Sequence, residues 1–67
     1  MVRWKRVKPG MYNGFLDDGT LALRVMRDDF IWVPYYFDNG WRAIKRAGYE
    51  HLASAKLEAE HYFTERG

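Results

Sequence analysis

Hydrophobic and polar residues alternate most cleanly over Thr20–Arg27, where Leu21, Leu23 and Val25 fall on one side and Ala22, Arg24 and Met26 on the other. A period of two is that of a strand, whose successive side chains point to opposite faces. The first set is assigned to the core. Arg24 then lies on a face that an antiparallel sheet can leave open to water. The next run, Phe30–Phe37, has seven of eight residues aromatic or β-branched, the types that suit a pleated, half-buried surface. Asp38-Asn39-Gly40 follows it, and Asn-Gly after such a run is a strong hairpin signal because tight turns need positive φ. Pro34 cannot donate to a ladder. Its place in the run predicts a bend, with Phe30–Val33 pairing back to Leu21–Met26 and Tyr35–Phe37 pairing forward.

Shorter segments flank this hairpin. Met1–Lys8 alternates Val2, Trp4 and Arg6 against Arg3, Lys5 and Val7, and reads either as an edge strand or as a basic arm anchored by Trp4. Pro9-Gly10 interrupts the chain. Met11–Leu16 then reads as a short strand, and Asp17-Asp18-Gly19 as a turn. Two readings compete after Trp41. One is a single amphipathic helix from Trp41 to Phe63, with Ile44, Gly48, Leu52, Ala55, Ala59 and Tyr62 on its stripe. The other is a strand at 41–46, a break at Gly48 and a helix at 51–65. The second is preferred. A mid-helix glycine costs about 1 kcal/mol relative to alanine, and Arg42, Lys45 and Arg46 would give a long helix the wrong charge at its start. The small residues Ala55 and Ala59 let the shorter helix lie close to a sheet. The expected fold is α+β: one domain over residues 1–67, with an antiparallel sheet of three or four strands across 11–46 and one C-terminal helix packed on one face.

Composition sharpens this picture. Sixty-seven residues without cysteine exclude a disulfide framework and a thiolate metal site. Stability must come from aromatic burial, and three Trp, five Tyr and four Phe are more rings than so small a core can hide. Some are expected at an interface. Arg3, Lys5 and Arg6 interrupt the first apolar run, so no signal peptide or membrane span is predicted and the expected location is cytoplasmic.

Charge is segregated. Arg3, Lys5, Arg6 and Lys8 form one acid-free patch, and Arg42, Lys45 and Arg46 another, against a more acidic remainder. Basic residues interleaved with Trp4 and Trp41 suit contact with an anionic partner. Other constellations are poorer. Glu58 and His61 share a helical face, but a carboxylate–histidine metal site needs further helices to complete it. Asp17-Asp18 and Asp28-Asp29 sit in turns, where Asp bonds the local backbone. No nucleophile–base pair and no phosphate-cradling loop is present, so neither an enzyme nor a cofactor or metal site is expected.

Trp4, Val7, Pro9, Gly10 and Tyr12, with Trp32 and the run Leu52 to Glu60, resemble sheet-plus-helix DNA-binding domains. These are the domains of integrase N-termini and of the plant ethylene-response type. The same residues are similar to small actinobacterial and phage proteins of unknown function. The resemblance implies an exposed sheet face entering the major groove with Arg and Trp as contacts. Two functions are therefore carried forward. One is binding of duplex DNA through Arg3, Lys5, Arg6, Lys8, Arg24, Arg42, Lys45 and Arg46, in a phage or mobile-element accessory role. The other is a protein-interaction module that binds a host protein or a second copy of itself through Trp4, Tyr35 and Trp41.

Overall fold

A computed structural model describes residues 1–66 of the backbone and 1–64 of the side chains. Five strands form one antiparallel meander in chain order: β1 (Arg3–Lys8), β2 (Met11–Phe15), β3 (Leu21–Asp28), β4 (Ile31–Phe37) and β5 (Trp41–Ala43). A single helix, α1 (Leu52–Arg66), follows and packs against β3 and β4. The α+β class and the terminal helix are as expected, but the sheet has five strands rather than three or four. The added strand is β1. It pairs with β2 across the Pro9-Gly10 turn, from Arg3 opposite Phe15 to Lys8 opposite Met11, with a bulge at Val7. The N-terminal segment is thus an edge strand and not a free arm. Its run of cations suits that place, since charge on an edge opposes pairing with another sheet.

Alternation on β3 decides the two faces. Leu23 and Val25 are fully buried with Ala55 and Ala59 of α1, whereas Leu21 and Leu52 are only half-buried. The two alanines, one turn apart, let the helix lie close over the sheet. Cross-strand register puts Trp4, Gly14, Leu23 and Tyr36 in one row of this covered face. Gly14 has no side chain to obstruct the row: a Cβ there would lie 3.0 Å from the Trp4 ring. Trp4 is therefore free to reach the helix, where its Nε1–H donates to Glu60 Oε2 at 2.5 Å. Lys56 Nζ, one turn earlier, lies 4.5 Å from the Tyr12 ring and 5.8 Å from that of Trp4. Tyr36 and Tyr62, with centroids 4.9 Å apart, add a further ring contact between β4 and α1. Trp4→Phe keeps an aromatic ring but loses the indole N–H donor and part of the ring's packing; we expect a loss of at least about 1–2 kcal/mol, measured by urea unfolding. Unchanged stability would show that the Trp4–Glu60 bond does not help to hold the helix.

Pro34 sits inside β4 without interrupting its pairing with β3. Residues Ile31 to Tyr36 pair continuously with Asp28 to Leu23, so the run is not divided into two differently paired halves, although Tyr35 to Phe37 do pair forward, with Ala43 to Trp41, as expected. Proline is accommodated on the other side. Its carbonyl accepts from Ile44 N at 2.8 Å, and no N–H is available to answer. The ladder to β5 lapses there, which is why β5 ends at Ala43 rather than continuing to residue 46. The chain loops out and returns at Tyr49, which exchanges backbone bonds with Trp32 at 2.6 and 2.9 Å. Gly48, with φ +68°, makes the return possible. It is the break expected between strand and helix. The Asp38–Gly40 turn also forms, with Asn39 at φ 56° and Asp38 N bonded to Gly40 O at 2.8 Å.

Candidate nucleic-acid interface

The sheet face opposite α1 gathers much of the positive charge. On β1, Arg3, Lys5 and Lys8 share this face, because they pair with Phe15, Asn13 and Met11. The central row runs Lys5, Asn13, Arg24, Tyr35, Ala43 across all five strands. Arg46 joins the face from the excursion after β5. It lines a shallow groove of ≈ 520 Å³ with Val33, Tyr35, Trp41, Ala43 and Asp28. Asp28 is the acid that the register of β3 places here. No Lys or Arg forms a salt bridge among the described residues, in which the one ion pair joins the Met1 amino group to Asp17.

Arg24 occupies the middle of the face. Its Nε–H donates to Asn13 Oδ1 at 2.8 Å, and its Cζ lies 4.2 Å from the centroid of the Trp41 ring. Phe37 in turn meets Trp41 edge-on at 5.4 Å. Desolvation by this packing pulls the Arg24 guanidinium below its ordinary pKa, although an arginine so placed remains a cation. The turn acid Asp18 behaves differently. Hydrogen bonds from Thr20 hold its carboxyl below the usual range, as suits a residue that ties its own turn.

The structure divides the residues singled out in the sequence. Arg3, Lys5, Lys8, Arg24 and Arg46 come together on the open face. Arg6 and Arg42 do not: their partners Tyr12 and Tyr36 put them in rows of the covered face. Arg42 Nε–H donates to Asp38 O at 3.1 Å, although the residue also reaches the rim of the groove. Lys45 lies in the excursion, its Nζ 4.8 Å from the Tyr49 ring. Among the aromatics, Trp4 belongs to the covered face, while Tyr35 and Trp41 lie on the open one beside the exposed Phe37. Two features were not singled out from sequence. One is Asn13 as the partner of Arg24, which follows from a hairpin turning at Asp18-Gly19 that sets the two opposite. The other is Arg27, whose Cζ lies 5.9 Å from the Trp32 ring on the covered face.

No group of His, Asp and Glu side chains suited to a metal ion converges among the described residues, and no helix is long and apolar enough to cross a membrane. No family model, curated protein or solved structure matches this chain.

Proposed function

We propose that this protein binds duplex nucleic acid through the open face of its sheet. The observation that carries this reading is the set Arg3, Lys5, Lys8, Arg24 and Arg46 on one face, none of them in a salt bridge among the described residues, with Asp28 as the opposing charge. A face of unpaired cations attracts a polyanion and gains entropy as condensed counterions leave it. Shape favours a duplex over a single strand. The span β2–β4 is about 10 Å at ordinary strand spacing, comparable to a major groove about 12 Å wide. The protein acts by binding rather than by catalysis, in a phage or mobile-element accessory role.

Fluorescence anisotropy on a labelled mixed-sequence DNA duplex tests this. If about three or four cations meet phosphates, log K against log salt has a slope of about −3 to −4. Lys5→Ala should flatten the slope by about one unit. Arg6→Ala, on the other face, should leave it unchanged. Absence of binding at about 50 mM salt, where a basic face attracts any duplex, rejects the proposal.

A second reading has its own observation, the ring of Phe37, which is 55% exposed beside Trp41. Interface energy concentrates in aromatic anchors, so a protein partner docking here would be lost on Phe37→Ala. Duplex affinity in that variant should change little.

A further inference from the structure

We propose that the free edge of β1 takes up an extended acidic segment of a partner protein, which adds to the five-stranded sheet as a further strand. This stands apart from the duplex reading, since it concerns the edge of the sheet and not its open face. β1 ends the strand order, so one side of its backbone has no neighbour. None of its backbone groups bonds outside the β1–β2 ladder among the described residues. Outward N–H and C=O groups of this kind are a template for another strand. At the other end of the sheet β5 offers less, being three residues long against six.

Side chains decide what can dock. β1 reads Arg-Trp-Lys-Arg-Val-Lys, so cation, apolar, cation, cation, apolar, cation, a pattern that is the same in either direction. On β3, β5 and α1 every described Arg or Lys side chain makes a hydrogen bond or a ring contact: Arg24 with Asn13, Arg27 with Asp29, Arg42 with Asp38 and Lys56 with Tyr12. On β1 none of the four cations makes a hydrogen bond, ion pair or ring contact among the described residues.

Their placement selects the shape of the partner. Arg3 and Lys5 belong to the open face and Arg6 to the covered one. A duplex lying on the open face meets the first two and leaves Arg6 unused. A strand laid along the edge meets all three, because its own side chains alternate between the same two faces. Acids in that strand stand directly opposite the cations, and cross-strand pairs of opposite charge stabilise a sheet. A second copy of β1 does not fit. Every two-fold antiparallel register that overlaps four or more of its residues sets cation against cation, among them Arg3 on Arg6, Lys5 on itself and Arg6 on itself. Like charges directly opposite destabilise. The cations that keep the edge from pairing with its own kind thus admit an acidic strand. The bulge at Val7 confines regular pairing to Arg3–Arg6.

The probe is the capped hexapeptide Glu-Val-Glu-Glu-Val-Glu, titrated into 15N-labelled protein at about 50 mM salt, where charge attraction is weakly screened. We expect saturable shifts in the amide signals of residues 3–6 at millimolar peptide or below. N-methylation of alternate residues removes the donors from one edge of the peptide and leaves its charges in place. In one phase it should weaken binding at least about tenfold, for the backbone bonds lost. In the other phase the blocked edge faces solvent, and binding should hold. Arg6→Ala should weaken peptide binding about 2- to 5-fold, the loss of one cross-strand charge pair, and leave duplex affinity as it is. Equal binding of the two methylated peptides, or no effect of Arg6→Ala, shows attraction by charge alone and overturns the proposal. A dimer joined through β1 in analytical ultracentrifugation assigns the edge to a second copy and also overturns it. So does the absence of amide shifts at millimolar peptide, whatever the duplex assay shows.

Discussion

Leu23→Ala is expected to leave the protein largely unfolded, or close to it, at room temperature. Leu23 is fully buried, sits on the middle strand, and pairs with Gly14 on one side and Tyr36 on the other. Removing a buried leucine side chain costs about 2–5 kcal/mol, with the upper end reached where neighbours cannot close the cavity. The surroundings here close poorly. Gly14 has no side chain, and the buried positions of the helix, Ala55 and Ala59, have only methyl groups. Against this stands a core that, at this length, rarely supplies more than about 3–5 kcal/mol. Urea titration followed by far-UV circular dichroism measures the effect directly. Leu21→Ala serves as the comparison: half-buried at the start of β3, it should cost clearly less. Equal stability of Leu23→Ala and the parent protein would mean that the two faces of β3 are the reverse of those described.

Gly48→Ala should cost about 2–5 kcal/mol, and its sign is as informative as its size. At φ +68° an L-residue is strained, by roughly 1–2 kcal/mol for a left-handed conformation. Space is also lacking. A Cβ would lie 2.9 Å from the carbonyl oxygen of Trp32 and 2.9 Å from Ile31 Cδ1. The isoleucine methyl can turn aside, but the carbonyl cannot, because it accepts the hydrogen bond from Tyr49 N that closes the excursion. Forced contacts of this kind add about 1–3 kcal/mol. The Trp32–Tyr49 bridge should therefore loosen, and with it the register in which α1 leaves the sheet. Were the chain one helix from Trp41 to Phe63, the same substitution would stabilise by about 1 kcal/mol. A thermal melt separates the two cases by the direction of the shift.

Those parts of the protein whose causes are local were legible in its amino-acid sequence. The alternation Leu21, Leu23, Val25 identified the buried side of β3. Asp17-Asp18-Gly19 and Asp38-Asn39-Gly40 marked the turns, and Gly48 the break before a helix of good helix formers. These features need only the period of a strand and the φ angles that Gly and Asn tolerate, and both belong to single residues or short windows. Tertiary structure decided what depends on a partner far along the chain. Whether residues 3–8 formed an arm or a strand turned on β2 offering its free edge. Pro34 looked like a bend, yet a missing N–H disturbs only the neighbour it would have met, and β5 ends where that bond is lacking. Charge was divided in the same way. Lys5 and Arg6 are adjacent and alike in composition, but the pleat turns one to the open face and the other to the side that carries the helix. Arg24 was legible as an exposed cation. Its hold on Asn13 and Trp41 was not, because that required residues 13, 24 and 41 to meet across four strands. Such a meeting is fixed by the register of every hairpin between them, and no stretch of sequence carries that sum alone.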